Sequence, residues 1–511
     1  MGKNIKRLLV SSLYIILLCF ITKNNLFTAQ NNILQKYIID LKDFGAIGDG
    51  VSDDSKAFIN ALDYAKKNKF QLINLKGNYV YNLNNSKIQL PNRVVLKFEG
   101  PILKNAELIG DNTLIAADPL KIFENIILSG NYQNTENTFV EWFGTFPNDP
   151  SSLDLKKSLE ALNRVYFSVS LNEGIYYTNI GNIDLKGIKG ISPDQTFVEF
   201  RSNSNDKHLF HIGKVGGNVQ ERTYQNNYLK SLSLVLISHG KKIHNNTLLI
   251  IGACHQAKIE DVKFIANSNN TSLNKEELVQ ISKNSKEKLA NMAINFDGAS
   301  ELIFLNNIFT LSDIGLKFAK NTDFVSVNNL SCWNGKNGFS SVYFSDTTIS
   351  NVLFSGNQSW SQGLYGLYSE DGTGYNNFVN MKVENVRIEQ LNTEIKLQEK
   401  VVATSFWFGN STHTPNLILH NIMLAGTANG IRFGSLQDGN ITLSNISVFF
   451  DRTIRRQFAL EANIKKGGNI QISLNQTQLA DDLPINIMNS NFNKEMIKNN
   501  NFSNEIIISS K

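Results

Sequence analysis

Cysteine is nearly absent, with Cys19, Cys254 and Cys332 the only three in 511 residues. Three thiols cannot build a disulfide-stapled scaffold, and no zinc-type spacing occurs. Cys254 and Cys332 sit in Gly-Ala-Cys-His and Leu-Ser-Cys-Trp, apolar strand-like surroundings that predict two buried thiols rather than a bridge. Proline is scarce as well, at eight residues, so turns fall to other residues, and Asn is abundant. No run of Lys and Arg forms a stripe for nucleic acid. The balance of 50 basic and 45 acidic residues leaves a net charge of +5, a mild excess that suits ordinary solubility or weak attraction for polyanions. Beyond the N-terminus, no apolar run is long enough to span a membrane.

The N-terminus itself is distinctive. Lys3, Lys6 and Arg7 precede the apolar run Leu8 to Ile21, the pattern of a secretory signal. Ala29 before Gln30 offers a cleavage point, although Phe27 is bulky where a small residue is preferred, so a retained anchor stays open. The expectation is a signal over 1–29 and a protein that is secreted or held at the cell envelope.

Leu41-Lys42-Asp43-Phe44-Gly45-Ala46-Ile47-Gly48-Asp49-Gly50-Val51-Ser52-Asp53-Asp54 reads as a strand, a glycine turn and a helix start. Ser52 or Asp53 is placed to cap a helix whose apolar positions are Ala57, Ala61, Leu62 and Ala65. Asp49, Asp53 and Asp54 serve that turn and helix start. A second opening follows. Val140-Glu141-Trp142-Phe143-Gly144 parallels residues 41–45, and Gly174 parallels Gly77, with offsets 143 − 44 = 99 and 174 − 77 = 97.

From about residue 245 a shorter period takes over. Glu260-Asp261-Val262, Asn306-Asn307-Ile308, Asn328-Asn329-Leu330, Glu384-Asn385-Val386, His420-Asn421-Ile422 and Ser444-Asn445-Ile446 each end a β-rich run with Asn or Asp and then an aliphatic residue. The steps 329 − 307 = 22 and 445 − 421 = 24 define one coil of a β-solenoid. The corner Asn residues are expected to form a side-chain ladder, since an amide both donates and accepts. Expected domains are the opening module at 33–138, a coiled body at 139–483 with a helix-like excursion near 270–291, and a tail or cap at 484–511.

Asp43-Phe44-Gly45-Ala46 with Gly48-Asp49-Gly50 and Asp53-Asp54 resembles the N-terminal signature of the pectate lyase-like superfamily, which includes rhamnogalacturonase-like and epimerase-like proteins. The resemblance implies an all-β right-handed parallel β-helix with an N-terminal capping helix, here with a duplicated opening. It also implies a polysaccharide partner, anionic in the leading reading of elimination, while leaving hydrolysis, epimerisation and binding alone open. Hydrolase members of that group carry Asn-Thr-Asp, Asp-Asp, Gly-His-Gly and Arg-Ile-Lys motifs. This chain has only Asn321-Thr322-Asp323, and Asp323 reads as a turn residue.

Elimination at a uronic acid needs a base and a cation to meet the carboxylate. Arg387 and Glu389 lie two apart on a strand and share a face. The expected centre pairs Arg387 as carboxylate partner with Tyr368 or His413 as base, and Glu389 beside them. Glu370, Asp371, Tyr375, Trp407 and Arg432 are expected substrate contacts, with Glu370 and Asp371 the place for Ca2+ if one is used. His255 and Lys317 are outlying candidates. Trp333 and Trp360 fall at matching coil positions and suit either sugar stacking or an internal stack.

Overall fold

The computed structural model describes residues 39–509 apart from 70–71, 136, 153–154, 167, 202–207, 238–245, 267–290, 346, 370–375, 390–403, 410, 428, 451–459, 476–484, 489–496 and 500–505. The signal segment and the 270–291 excursion lie outside these residues but for Asn291. The chain divides into two compact units, Met1–Gly144 with Ala161–Tyr166, and Thr145–Glu160 with Phe167–Lys511.

In the first unit, a 3-10 turn at Leu41–Phe44 ends on Gly45 in the left-handed region (φ 87). The degraded copy adopts the same form, Val140–Phe143 ending on Gly144 (φ 88), so the repeat read from sequence is conformational as well. The helix Ser55–Lys67 buries Ala57, Phe58, Ala61, Leu62 and Ala65, and packs on the 41–44 turn and on strands Leu72–Lys76 and Val80–Gln89. Its N-cap corrects the expectation. Asp54 occupies that position but makes no capping bond. Its buried carboxylate instead accepts from Ile47 N (2.6 Å) and Gly48 N (3.1 Å), fastening the glycine loop, while Asp53 accepts from Ser55 N (2.9 Å). All strand pairs of this unit are parallel.

The second unit is a parallel β-helix with three faces. On the first, Val169, Ile188, Leu229, Ile259, Leu305, Val327, Phe354, Val383, Leu419 and Leu443 occupy one inward register position on successive coils. All are buried, each contributing ~1.5–3 kcal/mol of burial. The third face stacks Phe296 on Phe318 (4.3 Å between ring centres) and Phe318 on Phe344 (5.0 Å). The segment after 484 is expected to be a tail or cap. Its described parts instead continue the coils, Ile485–Met488 and Ile506–Ser509 on the third face and Ile497–Asn499 on the first. Alternating apolar residues such as Ile485 and Ile487 suit that continuation.

Trp333 and Trp360 are not equivalent. Cys332 pairs in register with Trp360, so Trp360 points inward and is buried while Trp333 points out, 46% exposed. A one-residue offset reverses a strand side chain's direction. Cys254 and Cys332 are free and buried, and burial pushes both thiols up to about 12.

Two corners carry a left-handed residue on runs of successive coils. Between the first and second faces these are Ser231, Asp261, Asn307, Asn329, Gly356, Asn385, Asn421 and Asn445. The expected ladder is present there: Asn307 donates to Asp261 (2.8 Å), Asn329 to Asn307 (2.6 Å), Asn421 to Asn385 (2.6 Å) and Asn445 to Asn421 (3.0 Å). Between the third and first faces the left-handed residues are Gln256, Leu302, Phe324, Asn351, Asn380 and Asn416.

Candidate functional site

The residues singled out by sequence separate onto different faces. Arg387 and Glu389 form an ion pair with each other on the outer side of the second face, in register with Ser359 and Ser361. Tyr368 lies on the outer side of the third face, in register with Tyr343 and Trp407. The expected Arg387–Tyr368 grouping is therefore not assembled, because the two strands lie on different faces of the coil. His413, the other expected base, lies in strand Ser411–Thr427 opposite Asp438, and its backbone N–H donates to Asn377 Oδ1 (3.2 Å). Glu370, Asp371 and Tyr375, the expected calcium and sugar contacts, lie outside the described residues.

One subset does converge. Lys317, Tyr343, Tyr368, Trp407, Arg432 and Glu461 form an outward column, one per coil. Arg432 lies over the Trp407 ring (4.2 Å) and pairs with Glu461 (2.9 Å). Lys317 lies 5.6 Å from the Tyr343 ring centre. The middle of the column is packing. Tyr368 is 7% exposed, stacked on Tyr343 (5.6 Å) and wedged against Tyr365 (4.5 Å) and Phe339 (5.1 Å). Trp407 and Arg432 keep partial exposure.

A denser set of chemical groups occupies the corner between the third and first faces. His255, Glu301 and Asp323 share one register position on three successive coils. A loop adds a further rung: Thr223 bridges Cys254, with His255 N donating to Thr223 O (2.8 Å). That bridge sets Tyr224 beside His255, with ring centres 5.4 Å apart and the tyrosine 77% exposed. It also delivers Arg222, whose Nε donates to Ala299 O (2.8 Å) and whose Nη1 pairs with Glu301 Oε2. His255 Nδ1 faces the same Oε2 at 3.6 Å and, although this atom is buried, has no hydrogen-bond partner among the described residues. Asp323 accepts from Phe324 N (3.0 Å) and Asn351 Nδ2 (2.8 Å), so it is both the expected turn residue and part of this column.

Backbone strain falls on the same three coils. The residue after His255, Glu301 and Asp323 is Gln256 (φ 78), Leu302 (φ 56) and Phe324 (φ 51). The next coils place Asn351, Asn380 and Asn416 at that corner, and they form their own ladder, Asn380 to Asn351 (3.1 Å) and Asn416 to Asn380 (2.9 Å). Asn tolerates the left-handed region, whereas a bulky side chain costs roughly 1–2 kcal/mol there. Strain of this kind concentrates at functional sites. The four groups supply what acid–base chemistry needs: an imidazole, an oriented carboxylate, a guanidinium with donors in reserve, and an exposed phenol. Sequence reasoning missed the set because Arg222 and Glu301 are 79 residues apart. The break in the corner pattern at Gln256, Leu302 and Phe324 was the available signal.

No family model and no curated protein matches the chain. Among solved structures, it is similar to a hyperthermoactive exopolygalacturonase from Thermotoga maritima, with 14% identity, coverage of 81% of this chain and 91% of that one, and a TM-score of 0.29. A surface adhesin of Streptococcus pneumoniae, PfbA, matches at 11% identity, 89% and 93% coverage and a TM-score of 0.26. A DFA-IIIase from Arthrobacter chlorophenolicus A6 matches at 10% identity, 87% and 84% coverage and a TM-score of 0.30. At such scores the architecture rests on this chain's own strand pairing, which is that of a parallel β-helix.

Proposed function

We propose that the protein is an exported carbohydrate-active β-helix that cleaves an acidic polysaccharide by β-elimination at the His255 corner. The observation that carries this reading is the column Tyr224–His255–Glu301–Asp323, set on strained coils with an unpartnered imidazole nitrogen facing an Arg-paired carboxylate. Glu301 orients the imidazole through Nδ1, a contact of 3.6 Å that would tighten with substrate bound, leaving Nε2 as the base. The base takes the proton on C5 of a uronic acid. The electron pair forms the C4=C5 double bond as the C4–O bond breaks, and the Tyr224 hydroxyl protonates the departing oxygen. The remaining guanidinium N–H groups of Arg222 meet the uronate carboxylate.

Hydrolysis is supported less well. It needs one carboxylic acid to donate a proton and one carboxylate to act as base or nucleophile. Glu301 is committed to Arg222, and Asp323 to a backbone N–H and an amide. The test is incubation with a panel of acidic polysaccharides, following unsaturated-uronate absorbance and reducing ends together. Elimination raises both signals. Reducing ends without absorbance would replace this reading with hydrolysis, and neither signal would leave a binding protein.

A further inference from the structure

A groove of about 690 Å3 opens at the other corner, between the first and second faces. One wall is the 191–193 loop, held by Ser233 Oγ donating to Pro193 O (2.6 Å) and by the Lys263–Asp194 ion pair (2.5 Å). The opposite wall carries Phe309 and Ser331, in register with Lys263 on successive coils. Along the floor runs the ladder Asp261–Asn307–Asn329.

That ladder is incomplete in an informative way. Each amide gives one of its two N–H groups to the coil before it. At the next coil the corner residue is Gly356 (φ 80), where a Cβ would lie 2.3 Å from Asn328 Oδ1. No donor among the described residues reaches Asn329 Oδ1. The floor thus offers donors and acceptors in a line, one rung per ~4.8 Å, beside the flat apolar surfaces of Phe309 and Pro193. A pyranose has the complementary form, with hydroxyls that donate and accept around its rim and an apolar C–H face. Among the described residues lining the groove, the one cation is Lys263, paired with Asp194, and Asp261 brings a carboxylate, so the charge pattern disfavours uronates.

We propose that this groove binds neutral pyranose units of a polysaccharide, one corner away from the His255 column. Taking the ligand to be a polysaccharide rests on the reading above, whereas the donor–acceptor line and the groove do not. The test is calorimetric titration of the full chain with neutral hexasaccharides (β-1,4-glucose, β-1,4-xylose and α-1,4-glucose) and with hexagalacturonate. At least one neutral hexasaccharide should bind, and any hexagalacturonate binding should be unaffected by the groove variants. Phe309→Ala should weaken binding about tenfold, as expected for loss of one aromatic contact surface. Ser331→Trp, which fills the groove, should abolish it, and His255→Ala should leave it unchanged. If Ser331→Trp fails to fold, Phe309→Ala carries the test. The groove assignment falls if no neutral hexasaccharide binds, or if binding is indifferent to both groove variants. Groove-dependent binding in a protein that shows no elimination would sink the lyase reading alone; elimination with groove-indifferent binding would sink the groove alone.

Discussion

The two corners of the second unit face the same backbone requirement and answer it differently. Each carries a left-handed residue on a run of successive coils. Between the first and second faces the chain uses Asn, Asp, Ser or Gly throughout, and the amides tie coil to coil. Between the third and first faces, three coils use Gln256, Leu302 and Phe324, and those coils carry His255, Glu301 and Asp323. The first corner is built for stability. The second gives some stability up where its outward column is rich in ionisable groups, and three coils later it reverts to the Asn solution. The proposed site lies where the corner departs from the repeat.

The comparison can be tested at several strengths. Removing a shared foundation should be the largest perturbation: Trp360→Ala, at a fully buried inward position, should cost about 3–5 kcal/mol in denaturant unfolding, affecting both corners alike. A cost under 1 kcal/mol would mean the coil interior is not packed as described. Next, Phe324→Asn gives the strained corner the solution of its neighbours. It should raise stability by about 1 kcal/mol and lower turnover, because the backbone that presents Asp323 relaxes. A loss of stability in this variant would show that Phe324 is not strained.

The smallest effect belongs to the buried thiols, which lie beside both corners' coils but serve neither. Burial raises Cys254 and Cys332 from 9.0 to about 12. A raised thiol contributes stability that is complete below the free value and lost as pH rises from 9.0 toward about 12. Unfolding free energy should therefore decline across that window, and replacing both thiols with Ala should flatten the decline. Iodoacetamide should label both only after denaturation, and rapid labelling of the native protein would contradict their burial.

The coil architecture was legible because its cause is local and repeated. An inward aliphatic residue and a corner amide return after 22 residues from Asn307 to Asn329 and after 24 from Asn421 to Asn445. The glycine openings were legible for the same reason, Gly45 and Gly144 adopting one conformation. Lys317, an outlying candidate, stands on the outward column beside Tyr343. What failed was inference across coils. Trp333 and Trp360 differ by one position in register, and Arg387 and Tyr368 stand on different faces, because unequal coil lengths hide the register that strand pairing sets. Arg222 and Tyr224 were invisible because a single bridge at Thr223 brings their loop to the corner.

The most direct test measures thermal stability and polysaccharide turnover together in two variants, one from each corner. His255→Ala should lose at least about a hundredfold in turnover with an unchanged melting temperature. Asn421→Ala should lose roughly 1–2 kcal/mol of stability with unchanged turnover. Retained turnover in His255→Ala, or both properties falling together in either variant, would contradict the division of labour between the corners.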